Sequence, residues 1–369
     1  MTKLRIRLLW LLVPASAIVL AFAVSSIALL AIGEDPPAAF RSMFEYGSRS
    51  NSLVSMVNRA VPLYVAGLAV AVGFKMNLFN IGVEGQYRMA ALLSAAVGAA
   101  LTLPAPLHIA LIIVVAMLVG AGWAGIAGVL KVKRGVHEVV STIMLNFIAT
   151  GVSAYLLANY LRKPQPEGSG DLIIATPQIP ESGQLPPLTK IGGIEMHSFV
   201  VFAVLLGIVV YLVIWRTRFG YDLRATGINP GAAEASGVDP RRMIITTMLL
   251  SGGIAGLIGM SDLFGFFHAY TLDFPTGLGF DGIAVALVGL NHPVGVAVAA
   301  LLFGWVDRAA QILDLEGIPK EVIVITKGVI ILSVVIAYEV VRRIVLAQEV
   351  KAAAEATRRL ETEEELAPV

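Results

Sequence analysis

The feature that most constrains this chain is a succession of long apolar runs. A helix crossing the hydrocarbon core of a bilayer needs about 20 mostly apolar residues. About ten candidates follow one another, near 8–32, 53–74, 86–103, 107–130, 138–160, 198–215, 243–267, 281–290, 294–312 and 321–341. The eighth is too short to span alone and reads as a broken helix ending at Asn291-His292-Pro293. Proline and glycine are tolerated at membrane depth where protein or a cavity covers the freed backbone. Only 14% of the 369 residues are charged and 57% are hydrophobic, whereas soluble domains carry about 25% charged residues. So few charges do not cover a water-soluble surface, which excludes an ordinary cytosolic enzyme, a disordered chain and a nucleic-acid binder. The net charge of +1 points to no polyanionic partner. Without cysteine, disulfides, thiolate metal sites and cysteine nucleophiles are excluded. The fold class read from this is an all-α polytopic membrane protein.

Lysine and arginine orient the spans, because cytoplasmic loops carry them in excess. With the N-terminus inside, the inside segments hold Lys3, Arg5, Arg7, Lys75, Arg88, Lys131, Lys133, Arg134, Arg216, Arg218, Arg224, Arg241, Arg242 and five more after Val341. The outside segments hold Arg41, Arg49, Arg162, Lys163, Lys190 and Lys320. This three-to-one bias predicts both termini inside. The first apolar run is too long for the 7–15-residue core of a signal peptide and reads as a retained span. Residues 1–345 form the membrane domain, with a long external loop at 162–197 and a cytoplasmic loop at 216–242. Residues 346–369 form a charged cytoplasmic tail. The external loop leaves five spans before it and five after, a layout that an inverted repeat produces. Gly82-Val83-Glu84-Gly85 and Gly279-Phe280-Asp281-Gly282 are the faint internal echo, and they fall on opposite sides of the membrane in this orientation.

Three segments carry polar chemistry. Asn77-Leu78-Phe79-Asn80-Ile81-Gly82-Val83-Glu84-Gly85-Gln86 sets two Asn, a Glu and a Gln between apolar helices. A carboxylate near membrane depth is costly and points to function; a helix-starting Glu in a cytoplasmic loop is the competing role. In 219–238, Asn229 suits an N-cap, Pro230 the first helical position and Gly237 the position past the end. That predicts a helix of about two turns with small residues on its surface. Gly277-Leu278-Gly279-Phe280-Asp281-Gly282 matches G-x-G-x-x-G without the βαβ unit that dinucleotide binding needs. It reads as a glycine-broken helix start where Asp281 meets either the positive helix end or a solute. No Gly-Lys pair exists, so the chain has no Walker A loop. His137-Glu138-Val139-Val140-Ser141 lacks the second His of a zinc protease helix, and His292 stands without a ligand cluster. Lys327 and Asp307-Arg308, inside apolar spans, read as structural ion pairs between helices. Ala121/Gly125, Ala124/Gly128, Gly252/Gly256 and Ala255/Gly259 have the four-residue spacing of closely packed membrane helices.

The stretch Phe79-Asn80-Ile81-Gly82-Val83-Glu84-Gly85-Gln86 resembles the signature of bacterial ABC-transporter permeases for nucleosides, in the superfamily of ribose and branched-chain amino acid permeases. Glu138-Val139-Val140-Ser141-Thr142-Ile143-Met144-Leu145-Asn146, the Arg224–Gly237 loop and Gly279–Leu287 ending in Asn291-His292-Pro293 fit the same family. The resemblance covers roughly residues 55–340. It implies a ten-helix importer permease core, without enzymatic activity of its own. The implied partners are a second permease, favouring a different paralogue, two ATP-binding subunits that hold ATP and Mg, and an external lipid-anchored binding protein. No cofactor would bind this chain. The implied location is the bacterial inner membrane. Leu290 stands where relatives are expected to carry a basic residue.

The function read from this is ATP-driven nucleoside import by alternating access. Asn77, Asn80, Glu84 and Gln86 are candidates to meet hydroxyls or base edges, and Asn291 is a further candidate for the substrate pathway. Phe79, Tyr87 and Phe280 are candidates to stack on a base, and Asp281 to touch solute. Gly220, Arg224, Gly227, Asn229, Pro230, Ala232, Ala233, Glu234 and Gly237 are the candidates for coupling to the ATPase. The alternatives are import of a sugar and an ion-coupled secondary transporter, which would use the intramembrane carboxylates. An intramembrane lipid enzyme lacks a metal or acid–base cluster.

Overall fold

The computed structural model describes residues 19, 20, 22–164, 174–319, 324, 325, 328, 329, 332, 333, 336, 340, 343 and 344. The first predicted span therefore lies partly, and the tenth mostly, outside the described residues. Lys3, Arg5, Arg7, Lys320, Lys327 and the 346–369 tail lie wholly outside them. Contacts divide the chain into two compact units, Ser42–Ile312 and the terminal pair Met1–Arg41 with Leu313–Val369. The terminal unit includes an apolar helix, Phe22–Ala31, whose Phe22 ring meets Phe40 edge-on at 4.9 Å.

The larger unit is built from helices α1 Ser50–Lys75, α2 Val83–Ala100, α3 Ala105–Arg134, α4 Glu138–Leu156, α5 Phe199–Arg216, α6 Arg218–Ile228, α7 Pro230–Ala235, α8 Pro240–Gly256, α9 Leu278–Val288 and α10 Pro293–Ala309. Among the described residues, six helical stretches are long and apolar enough to cross a membrane. In α3 and α5 the most apolar window has a mean hydropathy of 2.5, yet only 28% of it is buried. Apolar side chains pointing outward at that density require lipid around them. The α8 stretch, Pro240–Phe267, is 72% buried and is the central helix.

Local chemistry sets the boundaries. Pro104 precedes α3, and Gly135 ends it in the left-handed region at φ +67°, with Lys131, Lys133 and Arg134 on the negative helix end. Asp239 caps α8 by accepting from the Arg241 and Arg242 amides, with Pro240 at the first position. The small-residue stripes do what their spacing predicts: α3 lies against α8. A Cβ added at Gly120 would stand 2.8 Å from Gly256 N, and one at Gly128 would stand 3.2 Å from Met248 Cβ. Ala116 and Gly120 extend the stripe beyond the predicted pairs.

The C-termini of α1, α3 and α5 and the N-termini of α4, α8 and α10 share one end. There Lys131 pairs with Glu138, Lys75 lies over the Trp215 ring, and Trp215 meets His292 edge-on at 5.1 Å. At the opposite end, buried His108 bonds Ser182 Oγ and Gly98 O at 2.9 Å each. The described part of the 162–197 loop folds over this end. Thr176 N donates to Tyr270 O at 2.9 Å and Ile179 N to His268 O at 2.8 Å. A two-stranded hairpin, β1 Thr189–Ile191 with β2 Ile194–Met196, completes it.

Four expectations need revision. The Gly82–Gly85 and Gly279–Gly282 segments do not lie on opposite sides: both dip into the bundle and touch each other at Glu84. Arg88 is not a loop cation. It stands one turn into α2 beside Tyr270, and its Nε is buried without a hydrogen-bond partner. The 216–242 loop holds two helices, because α6 precedes the short one, and α7 is shorter than two turns. Arg308 is held by Gln311 Oε1 at 2.6 Å, by Ser52 Oγ at 3.3 Å and by the Tyr46 ring at 4.8 Å. Its structural role is as expected, but these partners are neutral.

Candidate functional site

The Asn77–Gln86 segment turns back into the membrane. Asn77 takes φ +57° just after α1. Asn80 then lies deep enough to reach Ser251 of α8, whose hydroxyl donates to Ala69 O at 2.7 Å. Ala69 stands six residues before Lys75, about 9 Å back along a helix rising 1.5 Å per residue. From the other side, α9 has 11 residues, about 16 Å of helix against a core of about 30 Å. Gly277 begins it at φ +86°, and Leu290 and Asn291 follow it at φ +55° and +52°.

The two broken starts meet in a polar joint. Gly277 N donates to Glu84 Oε1 and Gly279 N to Glu84 Oε2, each at 2.9 Å. Tyr87 OH lies 3.0 Å from Glu84 Oε1 and 2.7 Å from Pro275 O. Glu84 therefore caps α9 from a different helix, offering an anion to its positive end. Gly279 is glycine because a Cβ there would stand 2.7 Å from Glu84 Cα. Asn80 Nδ2 donates to Gln86 Oε1 at 2.9 Å and Gln86 Nε2 to Asn80 Oδ1 at 2.8 Å, and both residues are 1% exposed. Asn146 of α4 accepts from Gly85 N at 2.8 Å and donates to Ile81 O at 2.9 Å. The Glu138–Asn146 motif thus clamps the Asn77–Gln86 motif, and its Glu138 also accepts from Phe79 N.

The predicted site residues separate into two sets. Asn80, Glu84, Gln86 and Tyr87 are buried and partnered within the joint. Asn77, Phe79 and Phe280 are exposed, and Asp281 and Asn291 are half-buried. Asn291 donates its backbone N–H to Ala286 O, while its side-chain Oδ1 is buried without a partner.

A cavity of about 610 Å³ opens at the end opposite Lys131. Ser55, Asn58 and Arg59 of α1, His197, Asp262 and Asp307 of α10 line its polar side. Pro62, Leu63, Phe266 and Phe267 line its apolar side, and Pro275 and Leu278 close its floor. Asn58 fastens the hairpin: its Nδ2 donates to Glu195 O at 2.8 Å and its Oδ1 accepts from His197 N at 2.9 Å. Burial, reinforced by nearby His268, holds the His197 imidazole below its ordinary value, while Glu195 acts the other way. Burial does the same to His268. Sequence reasoning missed Arg59 and Asp262; each is an ionisable residue inside an apolar run, the signal that was applied only to Asp307, Arg308 and Lys327.

At the Lys131 end, α6 and α7 form an arm. Asn229 Oδ1 accepts from Ala232 N at 3.1 Å, Pro230 opens α7, and Gly237 closes it at φ +86°. The cap, first-position proline and terminal glycine thus stand where the sequence puts them. Ala232 and Glu234 are exposed while Ala233 is buried. Arg224 donates to Ile214 O. Gly220 is buried under the end of α5. A Cβ at Gly227 would stand 2.7 Å from Lys75 O and Met76 Cα, so α6 packs against the entrance to the Asn77–Gln86 segment. His292 caps α10 at this end by accepting from Val294 N at 3.3 Å. Burial and the Lys75 charge hold its imidazole low. Among the described residues no His, Asp and Glu cluster is suited to a metal.

The same architecture has relatives. The chain is 36% identical over 341 residues to the guanosine ABC transporter permease protein NupP of Bacillus subtilis, covering 90% of this chain and 95% of NupP. It is 32% identical over 332 residues to the glucose ABC transporter permease protein TsgB13 of Haloferax volcanii, covering 87% and 86%. It is 30% identical over 358 residues to the nucleoside ABC transporter permease protein NupB of Lactococcus lactis, covering 94% and 96%. No solved structure matches. Residues 52–338 match the family described as the branched-chain amino acid transport system / permease component, and this multi-pass membrane protein belongs to that family of ABC transporter permeases.

Proposed function

We propose that the chain is the permease subunit of an ATP-driven nucleoside importer. The similarity to NupP along nearly the whole of both chains carries this reading. The chain forms the translocation path, and hydrolysis of ATP with Mg takes place on two separate ATP-binding subunits. A second permease, a different paralogue, completes the membrane unit, and an external lipid-anchored binding protein delivers the solute. The host membrane is the bacterial inner membrane. The Lys131 end is cytoplasmic, in keeping with its Lys131, Lys133, Arg134, Arg216, Arg218, Arg241 and Arg242, and both termini lie on that side. In this reading residues 1–345 make about ten spans in a 5+5 inverted repeat, with 346–369 as a tail.

The arm from Gly220 to Gly237 is the docking point for the ATPase. Its exposed Ala232 and Glu234 meet that partner, and Gly227 passes the push to Met76 and so to the joint. Asn77, Phe79, Phe280, Asp281 and Asn291 remain the residues of this set that contact solute or the second permease. Asn80, Glu84, Gln86 and Tyr87 hold the path in shape. Glu84, the carboxylate that invites an ion-coupled mechanism, is already engaged by the Gly277 and Gly279 amides and by Tyr87.

The test is uptake of labelled guanosine into proteoliposomes holding the complex purified from its native membrane. Co-purification of an ATPase pair and a second permease, with ATP-dependent guanosine uptake, is the expected result. Similarity to TsgB13 makes glucose the rival solute: glucose uptake without guanosine uptake reassigns the substrate. Uptake driven by an ion gradient without ATP overturns the reading.

A further inference from the structure

The buried joint leaves few polar atoms for a passing solute, whereas the cavity at the other end has Arg59 and Asp262 in its wall. Among the described residues the Asp262 carboxylate accepts no hydrogen bond, although it lines the cavity and faces the charge of Arg59. A carboxylate and a guanidinium set in the wall of a membrane bundle are costly without partners, and such groups mark solute pathways. Facing them are Phe266, 69% exposed, and Phe267, with Pro62 and Leu63 beside them. A volume of about 610 Å³ lies within the roughly 300–1,000 Å³ of small-molecule sites, which pair apolar walls with a few polar groups.

We propose that this cavity is the loading site for the transported solute, an uncharged molecule with a flat ring and vicinal hydroxyls. Hydroxyls donate to Asp262, a ring carbonyl or nitrogen accepts from Arg59, and the ring face lies on Phe266. The floor, Pro275–Leu278, is the segment that Tyr87 and Glu84 hold from below. Movement of the joint therefore opens or seals the cavity from the far side. The assignment rests on the importer reading for direction, because it places the cavity at the outer face. The wall sets three carboxylates, Glu195, Asp262 and Asp307, against the one guanidinium of Arg59, so it selects against anionic nucleotides.

The chain has no cysteine, so Ser55→Cys gives one thiol in the cavity wall. The complex in proteoliposomes, with its binding protein, is treated with a membrane-impermeant methanethiosulfonate during ATP turnover. Labelling from outside, slowed by guanosine relative to unloaded binding protein, is the expected result. An unreactive thiol, or no protection by guanosine, overturns the site. In parallel, Asp262→Asn and Arg59→Met raise the KM for uptake about tenfold each, the loss of one charge-assisted hydrogen bond. Assembly is checked by co-elution with the partner subunits. An unchanged KM in assembled complexes overturns the site. Wild-type uptake judges the importer reading separately: its failure with both solutes removes that reading, while protection of the thiol still reports on the cavity.

Discussion

Two polar regions of this bundle look alike in sequence and differ in how their groups are spent. In the joint, Glu84, Asn80, Gln86 and Asn146 find partners within the protein. In the cavity, Asp262 and Arg59 line open space, and the Arg59 charge acts on Asp262. A satisfied buried polar network rigidifies a structure and fixes one arrangement. An unsatisfied one stores affinity for whatever enters. The joint is accordingly the device that holds the starts of α2 and the half-length α9 together, and the cavity is where chemistry is left over for a ligand.

The largest expected effect comes from Glu84→Ala, which strips the Gly277 and Gly279 amides of their acceptor and leaves Tyr87 only Pro275 O. Each buried amide left unpaired costs about 1–3 kcal/mol, read as a large fall in the melting temperature of the detergent-solubilised complex. Glu84→Gln, which keeps one acceptor oxygen, should recover part of it. If Glu84→Ala melts like wild type, the joint does not hold the fold. Gly279→Ala comes next: its methyl must displace the start of α2, at about 1–3 kcal/mol, seen as reduced yield and a lower midpoint. Asn146→Ala removes two bonds to Ile81 and Gly85 and should cost about 1–3 kcal/mol.

The α6–α7 arm sharpens the contrast because Ala232 and Glu234 on its surface are exposed. Glu234→Lys lies on an exposed position and should alter stability by less than about 0.5 kcal/mol. ATP-driven uptake should nevertheless fall, as measured in proteoliposomes with co-elution of the ATPase quantified. Full uptake in this variant would remove Glu234 from the docking surface.

The smallest effect concerns pH. His197 is held below its ordinary value of 6.5 by burial, so the folded chain favours its neutral form. Below about pH 6.5 the unfolded chain takes up the proton first. Its contribution is present above that pH and is lost as pH falls from 6.5 towards the lower folded value. His197→Gln should flatten this part of the melting profile between pH 7 and pH 5.

Six of the expected spans were legible, because lipid leaves only long apolar helices as solutions. The α7 cap was legible because Asn229, Pro230 and Gly237 act locally. α6 was missed because Gly220 and Gly227 weaken a helical pattern that is stabilised by packing on Met76 and Ile214. The meeting of Glu84 with Gly277 and Gly279 was not legible. It joins positions nearly two hundred residues apart, and only its depth tells a clamp from a solute ligand. Asp262 and Arg59 carried a readable sign, a charge inside an apolar run, but their shared cavity exists only once α1 and α8 are packed.

The most direct test of this division sets Asn146→Ala from the joint beside Asp262→Asn from the cavity, measuring melting midpoint and uptake KM on the same preparations. A lowered midpoint with an unchanged KM is expected for Asn146→Ala, and an unchanged midpoint with a KM raised about tenfold for Asp262→Asn. The reverse pattern, with KM moving in the joint variant and stability in the cavity variant, would contradict the division.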